Sequence, residues 1–518
     1  MNYSLLFIKN FILMEDFVMR NQIKVKSKLF ILMAILLLAW VGVSCKNNKP
    51  GEEGGMELRK PDDVVNKVGD DQGVMNSGQM DEWNDKFIQI RLMAVSEDGG
   101  YYRNPVIATF GQGKRTKVIT VMEKRFGLSG ERDVAVNGET QVELLYQLSD
   151  NSGYTFGRET TIGASAQGNP ENSRGAPVVF VDESDAGSDE VIVVAAAGSG
   201  MYGDNKPQGS QIKIIKGTPS GNTMNWGEGW KDLDISHNGE TGSKAIMAYM
   251  KEKMGNTPQG TPYNSVYLRS GQGRRNGTTL VLPLCAISYN PSSGSDGYGY
   301  FGVLVIYSTD GGSKWQFGPY KHSSQGRDYT WGQPSSQYRE AKGILLEGTT
   351  ITVLAPRNSL HDQRPRGMGL WSGDYTTTDE LSGPTDTGIT EAVGGVELAK
   401  NTKYTGANVG ADTYYLINTA NRAELYNKDL TLYITTKDMN DGVRLNMTDV
   451  SGVGSVAVLE DGSLVTLAEE AYAEGSRQRE TKFNLVQRRF TPGYIRARAE
   501  KDGNRIPDED RFYNPTIQ

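Results

Sequence analysis

From Phe87 onward the chain alternates short apolar runs with polar, turn-forming breaks. "NPVIATF", "KVITVME", "VELLYQLS", "APVVFVD" and "DEVIVVAAAG" come first. "QIKIIKG", "TLVLPLCAI", "GVLVIYST", "TITVLAPR", "DLTLYITT" and "SLVTLAEE" follow. Most are too short for helices and are rich in Val, Ile, Leu and Thr, the residues of a pleated and buried surface. The pattern predicts closely spaced strands through to about residue 490, with one plausible helix at "GSKAIMAYMKEKMG" (242–255). An all-β fold follows.

Two breaks share one form. "YSTDGGSKW" spans Tyr307–Trp315, and "LSDNSGYTF" spans Leu148–Phe156. Ser149, Asn151, Gly153, Thr155 and Phe156 stand where Ser308, Asp310, Gly312, Lys314 and Trp315 stand. Each follows an apolar strand. "WSGDYTTTD" (371–379) and "TTKDMNDG" (435–442) read as decayed copies. An Asp or Asn side chain hydrogen-bonds the amides of its own turn, glycine takes a backbone conformation closed to other residues, and the aromatic packs between sheets. These residues therefore close hairpins, and chemistry lies elsewhere. A recurring strand–turn–aromatic unit implies a repeat fold.

Composition adds to this picture. With 62 Gly among 518 residues, and 25 Tyr against 14 Phe, the chain has many turns and half-buried pleats. A net charge of −7 argues against a nucleic-acid partner, which calls for a basic stripe. Only 3 His and 2 Cys are present, and no cluster has metal-ligand spacing, so neither a metal nor another cofactor is expected.

The N-terminal segment reads as a targeting signal. "MRNQIKVKSKLFILMAILLLAWVGVSC" has a basic start, an apolar run from Leu29 to Val43, and then Cys45. It resembles a relaxed bacterial lipobox, which implies that Cys45 is acylated and becomes the first mature residue. A membrane-spanning anchor is the competing reading, for which the apolar run is short. Met19 is a better start than Met1. The expected layout is a lipoprotein signal segment at 1–44, a flexible tether at 45–85, a propeller at 86–490 and a C-terminal tail at 491–518. An exported, lipid-anchored protein at the bacterial cell envelope is implied, with no other membrane association. With Cys45 acylated, Cys285 has no disulfide partner, so stability must come from the core.

The turn repeat is the Asp-box, S-x-D-x-G-x-x-W, and "YYRNP" (101–105) resembles the Y/F-R-I-P motif that opens exo-sialidases (neuraminidases), with Asn104 in place of the usual Ile. From there to "LVTLAEE" near residue 470 the order of features is similar to that of bacterial and trypanosomal sialidases. The resemblance implies a six-bladed β-propeller and an exo-α-sialidase acting on sialylated glycoproteins or glycolipids. "NSVYLRSGQGRRNGTTLVLP" (264–283) resembles a further glycine-rich stretch of that family. It is not a phosphate loop, because no helix-forming segment follows.

A sialic acid carries a carboxylate on its anomeric carbon, and arginine grips a carboxylate with a fork that lysine lacks. The resemblance assigns three arginines from separate blades: Arg103 in "YRNP", Arg357 in "TITVLAPRN" and, by a looser match, Arg422 in "LINTANRAELYNKD". Any one alone reads as a surface charge; three in family order point to a clamp. Arg125 in "TVMEKRF" matches a further family arginine. In the loop "RFGLSGERDVAVNG", Asp133 is the candidate acid/base, with Glu131 as fallback. Glu340 in "SSQYREAKG" matches the glutamate that serves as base for a tyrosine nucleophile. That tyrosine is expected in a G-Y-S phrase, yet "SGVGSVAVLEDGSLVTLAEE" places Val453 and Gly454 there. Tyr414, Tyr415, Tyr426 and Tyr472 lie nearby in sequence, and no motif selects one. Three outcomes stay open: a tyrosine from another loop, direct attack by water, or a non-catalytic sialoglycan-binding propeller. A glycosidase or lyase of other specificity is a further alternative, and transglycosylation is a variant of hydrolysis.

Overall fold

Runs rich in Val, Ile and Leu become antiparallel strands because a strand sends successive side chains to opposite faces, and here both faces find cover. The computed structural model describes residues 67–68, 89–96, 100–111, 116–126, 134, 141–182, 187–198, 210–256, 262–289, 298–322, 341–358, 365–387, 394–400, 413–423, 426–437, 439, 442–473 and 482–501. All belong to one compact unit, Leu58–Pro515. They form a six-bladed β-propeller.

Blade 1 is Tyr101–Phe110, Lys117–Arg125, Val142–Ser149 and Thr160–Thr161, from axis to periphery. Blade 2 is Gly175–Phe180, Val191–Ala197, Gln211–Ser220 and Thr223–Asn225. In blade 3, Ser265–Tyr267 and Arg274–Asn276 both pair with Thr279–Tyr289, followed by Tyr298–Ser308 and Gln316–His322. Blade 4 is Lys342–Glu347, Thr350–Asn358, Pro365–Asp374 and Ser382–Asp386. Blades 5 and 6 share one ladder, because the 17-residue strand Gly442–Val458 closes blade 5 and then opens blade 6. Gly394–Lys400, Tyr414–Ala423 and Tyr426–Thr435 complete blade 5. Leu464–Ala473 and Lys482–Phe490 continue blade 6, and Gln89–Ala94 and Lys67–Val68 from the other end of the chain finish it.

Among the described residues, six buried apolar clusters lie between successive blades. Val106 and Ile119 of blade 1 meet Val179 and Val193 of blade 2. Val178 and Ile192, one residue away, face Leu280 and Leu304 of blade 3 instead. The pattern recurs around the ring and ends where Leu467 and Leu485 of blade 6 pack on Ile107 and Met122 of blade 1. Alternate residues of one strand thus serve different interfaces, which is why Val191–Ala197 is buried throughout.

Both Ser-initiated turns link the third and fourth strands of their blades. Ser149 Oγ donates to Asn151 Oδ1 (2.9 Å) and accepts from Gly153 N (2.9 Å), while Asn151 Oδ1 accepts from Thr155 N (2.9 Å). Ser308 Oγ donates to Asp310 Oδ1 (2.8 Å) and accepts from Gly312 N (2.8 Å), while Asp310 Oδ1 accepts from Lys314 N (2.9 Å). Gly153 and Gly312 have φ of 81° and 82°, values that exclude most side chains. Trp315 is buried, edge-on to Phe180 of blade 2, whereas Phe156 is half-buried beside the cluster joining blades 6 and 1. At the same place in blade 4, Thr376 stands where the glycine would be, and Asp374 Oδ1 accepts from Thr376 N (2.9 Å).

The helix expected at 242–255 spans Gly242–Lys253, with Ile246 and Met250 packed against blades 2 and 3. A second helix, Pro492–Lys501, lies within what the sequence suggested was tail. Thr491 Oγ1 accepts from Tyr494 N (3.1 Å), and Tyr494 and Ile495 are buried against blades 5 and 6. Thr followed by Pro at the first helical position is a start signal that the strand-dominated pattern hid.

Candidate active site

In every four-stranded blade the first strand begins, and the second strand ends, at the same rim. Arg103 is the third residue of blade 1's inner strand, and Arg125 is the last residue of that blade's second strand. Arg357 and Arg422 are the next-to-last residues of the second strands of blades 4 and 5. Four backbone positions from three blades therefore share one rim. Asp133, Glu131, Glu340 and Cys45 lie outside the described residues.

Two buried carboxylates organise the rim. Glu469 of blade 6 accepts from Arg103 Nε (3.0 Å) and from Asn104 N (2.6 Å) through Oε1, and from Val453 N (3.0 Å) through Oε2. Arg103 also lies over the Phe483 ring, 5.1 Å from its centre, and its side chain is only 12% exposed. Glu123 of blade 1 accepts from Asn104 Nδ2 (2.9 Å) and Ala176 N (2.5 Å) through Oε1. Its Oε2 accepts from Arg125 Nε (2.7 Å) and Nη2. Both carboxylates are 1% exposed or less, and Arg125 is 2% exposed. A buried charge is tolerated only when paired and hydrogen-bonded, and each of these is.

The sequence reading named neither carboxylate. Their signal was a charged residue inside an apolar run, "TVMEKR" and "LVTLAEE", where a buried partner is required. Glu470, next to Glu469, has a separate buried partner, Arg488.

Beside this rim, the segment Ser270–Arg274 crosses the propeller axis. Gly271–Gln272 adds to the inner strand of blade 2 in parallel. Gln272 Nε2 donates to Ile107 O of blade 1 (2.9 Å) and Val456 O of blade 6 (2.7 Å), and Gln272 N donates to Glu397 of blade 5. Arg274 donates to Gly343 O of blade 4 (3.2 Å) and Leu398 O of blade 5 (3.0 Å). The glycine-rich stretch is thus a plug that ties blades together. Burial raises the Glu397 carboxyl above its ordinary range, and nearby Lys342 opposes the shift only in part.

At the place expected for a nucleophilic tyrosine, Val453 is half-buried and Gly454 is closely packed. A Cβ on Gly454 would lie 2.8 Å from Ile417 Cδ1, and one on Gly452 would lie 1.5 Å from Glu469 Oε2. Tyr414 and Tyr415 are core residues of the blade 4/5 and blade 5/6 interfaces, which removes both as nucleophiles. Tyr426 and Tyr472 lie on strands near the rim, described here by backbone alone. Among the described residues, no group of three His, Cys, Asp or Glu could hold a metal ion, and no helix is long and apolar enough to cross a membrane.

No family model matches the chain, and no curated protein matches it. Solved structures do. The Hadza microbial sialidase Hz136 is 14% identical over 78% of this chain and 69% of its own, with a TM-score of 0.51. The intramolecular trans-sialidase from Ruminococcus gnavus, solved with oseltamivir carboxylate, is 12% identical over 80% of this chain and 98% of its own, with a TM-score of 0.48. A Trypanosoma rangeli sialidase in complex with sialic acid is 11% identical over 86% of this chain, which spans 60% of that protein's length, with a TM-score of 0.47. At these identities the likeness is one of fold.

Proposed function

We propose that this chain is an exo-α-sialidase that grips the carboxylate of a terminal sialic acid with arginines from separate blades. The observation that carries the reading is the pair of buried carboxylates, Glu469 and Glu123, behind Arg103 and Arg125 at the rim where the strands of Arg357 and Arg422 also end. An arginine fixed from behind loses little rotamer freedom when a ligand arrives, and its fork matches a planar carboxylate. In this reading Arg103, Arg357 and Arg422 form the clamp, and Arg125 contacts another part of the sugar. Asp133 protonates the leaving oxygen and then activates water, while Glu340 supports the nucleophile or the oxocarbenium-like transition state. Sialylated glycoproteins or glycolipids are the substrates, and acylation of Cys45 holds the enzyme at the cell envelope.

A second reading, a sialoglycan-binding propeller without turnover, is favoured by one observation: Val453 and Gly454, neither able to act as a nucleophile, stand at the expected place of the tyrosine, and a Cβ on Gly454 would lie 2.8 Å from Ile417 Cδ1. A fluorogenic sialoside separates the two. Release by the wild type, abolished in Asp133→Asn with binding retained, supports the hydrolase. Glycan-array binding that falls in Arg357→Ala, without any release, supports the binder. A folded protein that neither binds nor cleaves sialosides overturns both. Turnover is expected to survive a chelator, and metabolic lipid labelling is expected to vanish in Cys45→Ala.

A further inference from the structure

We propose that Asn104 is a positioning residue that couples Glu469 to Glu123 and so makes Arg103 and Arg125 a single preorganised unit. The inference rests on the sialic-acid reading for its ligand, and on geometry alone for the coupling.

Asn104 is the only residue that donates to both carboxylates among the described hydrogen bonds: its backbone N–H goes to Glu469 and its side-chain amide to Glu123. It reaches both because its φ is 52°. Asn tolerates this left-handed region far better than a β-branched residue does. The Ile that the related motif carries at this position has no donor for Glu123 and would be strained here.

On the far side of Glu123, Ala176 has a φ of 47° and gives its N–H to the same oxygen as Asn104 does. Strain of this kind persists where the surroundings over-determine it, and it concentrates at functional sites. Both inner strands also lose register at these points, between Arg103 and Val106 and between Gly175 and Val178. Such irregularities re-aim side chains.

The outcome is a continuous path from Val453 through Glu469, Asn104 and Glu123 to Ala176, crossing blades 6, 1 and 2. Each arginine is attached to one of its two carboxylates. A change at Glu123 must therefore reach Arg103, which Glu123 does not touch in any described contact.

Asn104→Gly isolates the coupling. Glycine keeps the left-handed backbone and the N–H to Glu469, and removes only the amide to Glu123. The expected result is an about tenfold weaker Kd for 3′-sialyllactose, the size of one hydrogen bond to a charged group. In protein labelled with 15N-arginine, the Arg103 Nε–H resonance is expected to move in both Asn104→Gly and Glu123→Ala. The double variant should cost little more affinity than Glu123→Ala alone, since both break one path. Strictly additive losses, or an Arg103 resonance that ignores Glu123→Ala, overturn the coupling. If the wild type binds no sialoside, the ligand assignment fails, and the resonances still decide the coupling.

Discussion

The rim and the axis both bury arginines, and they satisfy them in opposite ways. At the rim, Arg103 and Arg125 face carboxylates. At the axis, Arg274 gives two of its hydrogen bonds to main-chain carbonyls, Gly343 O and Leu398 O. A carbonyl ties a guanidinium to the backbone of another blade, so changing one end strains the fold. A carboxylate instead sets the plane of the guanidinium side chain to side chain, and Glu469 joins the main chains of blades 1 and 6 through its own oxygens. The formal charges of Arg103, Arg125, Glu123 and Glu469 also cancel. Under the proposed function, Arg357 and Arg422 would then supply net attraction for an anion, and Arg103 and Arg125 its direction.

The contrast can be broken most forcefully at Arg357. Arg357→Ala should weaken sialoside binding about 100-fold, the value of two charge-assisted hydrogen bonds, with thermal stability nearly unchanged. Calorimetric titration beside a melting curve checks both halves. Gln272→Ala should do the reverse: it leaves Ile107 O and Val456 O without this donor and costs about 2 kcal/mol of stability, with sialoside Kd unaltered. A shared loss of binding would merge axis and rim into one site. Arg103→Lys keeps the charge and loses the fork, and about a tenfold loss of affinity is expected, reversed by no change in ionic strength.

The smallest effect concerns pH. Burial raises the folded-state pKa of Glu397 above its unfolded value. The stability linked to that shift is therefore complete below the unfolded pKa and is lost as pH rises through the folded one. Glu397→Gln should flatten this dependence, so that the variant gains on the wild type as pH is raised from acid to neutral. Parallel melting curves for the two proteins over that range would contradict the assignment.

Much of this was legible in the chain. Strand runs, the Ser-x-Asp/Asn-x-Gly turns and the Gly242–Lys253 helix all follow from local periodicity and turn chemistry. Local signals could not reveal what depends on distant partners. Gln89–Ala94 pairs with Lys482–Phe490 across almost the whole chain, and no short window records that. The axial plug read as a glycine-rich loop because its hydrogen bonds go to five other blades. Glu123 and Glu469 depend on cations and amides that the fold brings to them, some from other blades. Asn104 was visible only as a departure from a motif; its backbone angle explains the substitution.

Because blade 6 takes strands from early and late in the chain, the ring has a seam that cannot close before Lys482–Phe490 is made. A chain emerging N-terminus first holds the inner edge of Gln89–Ala94 without its Lys482–Phe490 partner until that strand is made, so an exposed edge accompanies most of synthesis. Trimming either end would leave five finished blades and an open edge prone to sticking to other chains.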